Sequence, residues 1–280
     1  MGRPVWIPPG TYNHSGVLTA NGISIQGAGF NSVLYATDPN NSAIALQGGN
    51  PSISNLMTKV VAPNRSNQPQ TTAIWVNHAS NARVSTVILQ GAGSNGVRLD
   101  GAQHCTVSHI FVLGTNADGV AATNGASYNT VQNNLVYQPA DDAYSDDSYI
   151  GEPQDTGNQF LGNVAWDVVY GRGFAAAGSI NGVFSGNTVD QTTWVGIFAT
   201  TDPSSNTQVT SGWTIQNDVL LNTVDAPIIT GNNMTVSNLQ FTGTLPNLAS
   251  VLGWDPTPYI VDRKTFNPIY VPGTGPGAHN

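Results

Sequence analysis

Apolar and polar residues alternate in short runs along this chain, and each run stops at Gly, Pro or Asn. Val5-Trp6-Ile7-Pro8-Pro9-Gly10-Thr11-Tyr12 reads as a strand closed by a Pro-Gly turn. Ile23-Ser24-Ile25-Gln26-Gly27-Ala28-Gly29 alternates in the same way and ends on glycine. Ala43-Ile44-Ala45-Leu46 and Ile53-Ser54-Asn55-Leu56 look alike. Period-two alternation of this length predicts short strands.

The middle of the chain turns these runs into a repeat. Val84, Val107, Val131, Phe160, Phe184, Ile215 and Val236 serve as anchors, spaced by 23, 24, 29, 24, 31 and 21 residues. Asn recurs two or three places after an anchor, as in Val131-Gln132-Asn133-Asn134 and Phe184-Ser185-Gly186-Asn187. Stacked Asn amides can bond one another, and Asn tolerates the left-handed conformation of a sharp turn. Eleven or twelve residues after each anchor comes a second phrase. It reads Asn95-Gly96-Val97, Asp118-Gly119-Val120, Asp142-Ala143-Tyr144, Arg172-Gly173-Phe174, Val195-Gly196-Ile197 and Ala226-Pro227-Ile228. Its third member is bulky and predicted to point inward. Its second is mostly small, as a close approach at a turn requires.

A period near 24 residues built from short strands fits one coil of a parallel β-helix. Two coils are long, with inserts at 145–156 and 201–210. Both follow the same phrase, so both are expected to rise on one side and wall a cleft. The repeat gives a β-helix over residues 1–250. Residues 251–280 lose it, are rich in Pro and Gly, and are expected to pack over or trail from the last coil.

Composition agrees with an all-β chain. Only 9% of residues are charged and 31 are Gly, so the usual material of surface helices is scarce. A net charge of −8 with eight Lys and Arg argues against a nucleic-acid partner and against a polyanionic substrate. No apolar run is long enough to span a membrane. Cys105 is alone and reads as a buried small residue.

The opening V-W-I-P-P-G-T-Y with the Gly27-Ala28-Gly29 turn resembles the start of right-handed parallel β-helix proteins of the pectin-lyase-like superfamily. The fold class implied is all-β, a single-stranded right-handed parallel β-helix. That resemblance implies a capping helix upstream, which is not seen here; nor is a signal peptide, since Met1-Gly2-Arg3 runs straight into a strand. The chain is therefore read as a secreted monomer, with leader and cap missing from this sequence.

Equivalent residues of successive coils stack about 4.8 Å apart. The column before the inward residues runs Asn95, Asp118, Asp142, Arg172, Val195. Asp118 and Asp142 become neighbours, with Arg172 next. Asp141 lies one residue off the column, where regular parity would turn it away; irregular backbone at the turn could bring it back. Crowded carboxylates repel, which raises the pKa of at least one. An acid beside an ionised base suits glycosidic hydrolysis. The plainer reading is turn aspartates capping backbone N–H groups.

The phrase A-D-G-V followed 24 residues later by D-D-A resembles the α-1,3-glucanases (mutanases) and mycodextranases. That resemblance covers roughly residues 4–245. It implies inverting endo-hydrolysis of a neutral α-glucan by three aspartates, Asp118, Asp141 and Asp142. Polygalacturonases share the aspartate pattern but add a His-Gly and an R-I-K on later coils. Here those positions read Arg172-Gly173 and Gly196-Ile197-Phe198, so a neutral glucan fits better than pectin.

Arg172 either orients an aspartate or binds sugar hydroxyls, or acts as a structural counter-ion. Tyr144, Trp166, Tyr170 and Trp194 are candidates to stack on sugar faces. The acidic group Asp146, Asp147, Glu152 and Asp155 reads as a solvated loop, or as a source of oxygen ligands for a structural calcium. No other metal or cofactor is expected. Two alternatives stay open: a uronan lyase or epimerase with Arg172 as base, and a non-catalytic carbohydrate-binding β-helix.

Overall fold

The computed structural model describes residues 4–261. Successive coils stack in parallel and expose three flat faces. The sequence anchors pair residue on residue up the first face: Val84 with Val107, Val107 with Val131, Val131 with Phe160, Phe160 with Phe184, Phe184 with Ile215 and Ile215 with Val236. The second face is built from strands such as Phe111–Thr115, Leu135–Tyr137 and Val164–Val168. The third is a separate nine-stranded sheet that includes Val97–Asp100, Val120–Thr123, Tyr144–Asp147, Phe174–Ala177 and Ile197–Ala199.

The corner between the first two faces explains the recurrent asparagine. Two residues past each anchor the backbone is left-handed, with φ from 51° to 67° at Asn55, Thr86, His109, Asn133, Gly162, Gly186, Asn217 and Asn238. Asn and Gly reach this region most easily. One residue later the side chains turn inward and form a ladder. Asn134 donates to Asn163 Oδ1 at 3.0 Å, Asn163 to Asn187 Oδ1 at 3.2 Å, and Asn187 to Asp218 Oδ1 at 2.9 Å. Each amide also donates to backbone, so these buried polar groups are satisfied.

On the third face Val97, Val120, Tyr144, Phe174 and Ile197 all point inward and are buried. The small residue before each is dictated by space. A Cβ on Gly119 would lie 2.5 Å from the Ala143 carbonyl oxygen and 2.3 Å from Val136 Cγ1. The column slips once. Ile228 pairs with Phe198 rather than Ile197 and packs outside with Val195 and Ala177. The prediction that Ile228 points inward was therefore off by one residue.

The inserts do meet. Tyr149 bridges Thr207 in antiparallel fashion, Ile150 N–H donates to Asn206 O, and Gln208 Nε2 donates to the carbonyls of Tyr149 and Glu152. The first insert is not a solvated acidic loop, however. The strand continues through Asp147, so parity buries Asp146 inside the coil. There it shares a hydrogen bond with the equally buried Asp155, whose Oδ1 accepts from Gly125 N and Ala126 N. Asp146 Oδ2 takes a bond from Asn158, which leaves Asp146 Oδ1 and Asp155 Oδ2 with no other donor.

The segment after the last coil does not cap it. Helix Leu248–Leu252 and the residues up to Val261 run back along the second face. Trp254 packs on Phe30 with ring centroids 4.4 Å apart, and its Nε1–H donates to His109 O. Residues 262–280, part of the expected tail, lie outside the described residues. No helix among the described residues is long and apolar enough to cross a membrane.

Candidate active site

Each coil turns from the second face to the third at the corner holding 116–118, 139–142 and 169–172. Asn116 fixes this corner by donating its Nδ2–H to the carbonyls of Ala62 and Asn64. That bond draws the excursion at residues 61–68 across the turn. Asp118 and Asp142 leave the corner one coil apart, since Val120 pairs with Tyr144. Asp141 joins them despite its parity. Carboxylate oxygens of all three lie within 4.8 Å of one another.

Each carboxylate has its own restraint. Asn95 Nδ2 and Ser145 Oγ both donate to Asp118 Oδ2, at 3.0 Å each. Arg172 donates to Asp142 Oδ1 twice, from its backbone N and its Nε, at 2.7 Å each. Arg65 Nη1 reaches Asp141 Oδ2 at 2.6 Å. The two arginines balance part of the cluster's charge. Arg172 also lies over Phe198 and Trp194, at 4.4 and 5.4 Å from the ring centroids.

This environment separates the acids. Burial, with Asp142 and Asp141 close by, pushes Asp118 up to about 8. Burial also raises Asp142, but Arg172 opposes it and the value stays at about 6. Near neutrality the corner thus holds a protonated and an ionised carboxyl side by side. Asp147, outward on the next strand position, is raised by burial and by Asp142 and Asp118. A cavity of about 810 Å³ opens beside Asp141, lined among others by Val60, Arg65, Asn116 and Tyr170.

The family description "right handed beta helix region" matches residues 61–241. The chain belongs to this right-handed β-helix family. No curated protein matches it by sequence. Among solved structures, the catalytic domain of a GH87 α-1,3-glucanase in complex with nigerose superposes with a TM-score of 0.72 at 20% identity, covering 84% of this chain and 48% of that one. The catalytic unit of a thermostable GH87 α-1,3-glucanase from Streptomyces thermodiastaticus gives 0.64 at 20%, covering 84% and 50%. Geobacillus virus E2 ORF18 gives 0.63 at 13%, covering 86% and 55%. The chain thus spans about half the length of these structures and shares their fold.

Within this β-helix the remaining predicted residues divide. Tyr170 is 76% exposed on the cavity rim, and Trp194 is 39% exposed beside Arg172. Tyr144 is corrected: it is fully buried, stacks on Phe174 at 4.7 Å, and donates its hydroxyl to the carbonyls of Asn134 and Val164. Trp166 is corrected as well. It is buried on the second face against Tyr137, at 4.6 Å, in the cluster covered by the C-terminal segment. Arg65, Ser145 and Asn116 are corner residues that the repeat did not single out. Ser145 had a signal, because its parity places it outward beside Asp118.

Proposed function

We propose that this right-handed β-helix protein is a glycoside hydrolase acting on a neutral α-glucan of the α-1,3-linked or nigeran type. The observation that carries the reading is the trio Asp118, Asp141 and Asp142 at one corner, with Arg65 paired to Asp141 and Arg172 to Asp142. A protonated carboxyl there delivers its proton to the glycosidic oxygen, and an ionised neighbour activates water. The fold shared with α-1,3-glucanase catalytic domains supports the substrate class. The cations at the corner support a neutral substrate. Arg65 and Arg172 are each committed to an aspartate, which also removes Arg172 as the free base a uronan lyase needs. A polymer too large to import has to be met outside the cell, so the protein is read as secreted.

Inversion and endo action are the finer parts of the proposal. The nearest oxygens of the trio, within 4.8 Å, are closer than the roughly 6.5–9.5 Å between carboxyls of ordinary inverting pairs. The anomer released therefore distinguishes direct attack by water from a covalent intermediate. The test is hydrolysis of an α-glucan panel with anomeric detection by NMR, on the wild type and on Asp118→Asn, Asp141→Asn and Asp142→Asn. Each variant should lose about 10²- to 10⁴-fold in kcat, the usual worth of a general acid or base. Full activity in all three would end the proposal, and binding without turnover by the wild type would make the protein a carbohydrate-binding β-helix.

A further inference from the structure

One row of side chains crosses the outer side of the third face in strict register. It runs Trp75, Arg98, Ala121, Ser145, Ala175, Phe198, one residue per coil. Ser145 ties the row to the catalytic corner through its bond to Asp118. Small side chains occupy the middle three places. The flanks are large: Phe198 under Arg172 on one side, Arg98 and Trp75 on the other. At about 4.8 Å per coil, Trp75 stands roughly 10 Å from Ala121 along the axis.

Trp75 is only partly buried and belongs to none of the buried hydrophobic clusters among the described residues. It is nevertheless held in place. Its Nε1–H donates to Asp100 Oδ2 at 3.0 Å, and Asp100 is only 6% exposed. The same oxygen lies 3.4 Å from Arg98 Nε, and Asn124 donates to Asp100 Oδ1 at 2.9 Å. A buried carboxylate thus bonds a partly exposed indole and pairs with a guanidinium whose side chain is 23% exposed. Core packing does not account for an indole in that position. An aromatic face beside a cation with free donors suits a pyranose, whose C–H face stacks while its hydroxyls accept hydrogen bonds.

We infer that Trp75 and Arg98, positioned by Asp100, form a distal sugar-binding platform for a glucan chain lying along the helix axis across Ala121 and Ser145. The inference rests on the glycosidase reading and extends it. It makes the site sensitive to chain length, because a ring on Trp75 belongs to the same chain as a ring at the aspartates only when the chain is long enough to span two coils.

The test compares an α-1,3-linked hexasaccharide with the trisaccharide on wild type, Trp75→Ala and Trp75→Phe, with circular dichroism to establish that each is folded. Trp75→Ala should raise KM for the hexasaccharide by about threefold to tenfold, the range a single aromatic contact supplies. Its kcat, and both constants on the trisaccharide, should not move. Trp75→Phe should recover most of the loss. Equal changes on both substrates, or none, overturn the platform. Calorimetric titration with the hexasaccharide separates the two readings. If the wild type binds without cleaving, the catalytic reading falls, while weaker binding by Trp75→Ala still supports the platform. If the wild type neither binds nor cleaves, both fall.

Discussion

Arg172 places two donors on a single oxygen of Asp142: its backbone N–H and its Nε–H, each at 2.7 Å. Asp142 is buried and Arg172 partly so, and the pairing is the main influence that keeps Asp142 from rising further. Arg172→Gln should therefore shift the acid limb of the pH–rate profile upward. It should also destabilise the fold by about 3–5 kcal/mol at pH 8, where an unpaired carboxylate stays buried. At pH 5 the loss should shrink, because Asp142 takes up a proton. Arg172→Lys should restore part of both. Unfolding in denaturant at the two pH values measures this, and an equal loss at both would contradict it.

In the proposed mechanism one acid must be protonated and another ionised. Asp142 titrates at about 6 and Asp118 at about 8. A bell-shaped profile with its optimum near pH 7 is expected. Stability should run the other way. Both values are raised above the unfolded 3.8, so the folded state holds more protons above about pH 4. The stabilisation is complete below that pH and is lost as pH climbs through 6 and then 8. Asp118→Asn should thus melt higher than the wild type at pH 8 while losing activity. A lower melting temperature there would refute the electrostatic account of Asp118.

Inside the coil, the Asp146–Asp155 pair works without touching the groove. Burial raises Asp146 to about 7, and it raises Asp155 too, with Asp146 adding to the effect. One shared proton satisfies both facing oxygens. Raising the pH through 7 removes it and sets two buried charges against each other, so stability falls. Asp155 lies near the end of the first insert, and that insert should loosen first. Asn at position 146 can donate at any pH while still accepting from Asn158. Asp146→Asn should therefore flatten the fall in melting temperature between pH 6 and 8.5. An unchanged slope would show that the pair does not control it.

Gly119 separates Asp118 from the inward Val120. Gly119→Ala would force the next coil outward, because Ala143 O and Val136 both stand where the methyl must go. A loss of about 1–3 kcal/mol is expected from overpacking. Activity should fall as well, since Asp118 and Asp142 sit on the two coils being separated. Thermal unfolding and turnover together check this, and a variant with wild-type stability would contradict it.

The coil and the stacking of Asp118 with Asp142 were legible because the period of the repeat specifies them. Where the sequence reading failed, the reasons differ. Tyr144 shares parity with Val120 and Phe174, both read as inward. Its position in the phrase places it in the core rather than in the groove. Trp166 points outward, and what buries it comes from some ninety residues downstream, a contact no repeat encodes. Arg65 lies in an excursion outside the repeat, 76 residues from Asp141. Asp146 and Asp155 looked like loop acids because four charges in a sparse chain suggest solvent. The strand simply runs on to Asp147 and buries one of them.

The C-terminal segment changes how this stack should come apart. A plain solenoid is held by nearest-neighbour contacts and frays from its ends one coil at a time. Here Trp254 and Tyr259 grip Phe30 near the start of the stack, after the chain has travelled to the far end. The linear array is thereby closed into a circuit. Opening the last coils pulls on the first, so the terminal coils that flank the aspartate corner share one unfolding event instead of two independent ones. Severing the chain between the last coil and Leu248 should convert a single sharp transition into a graded one.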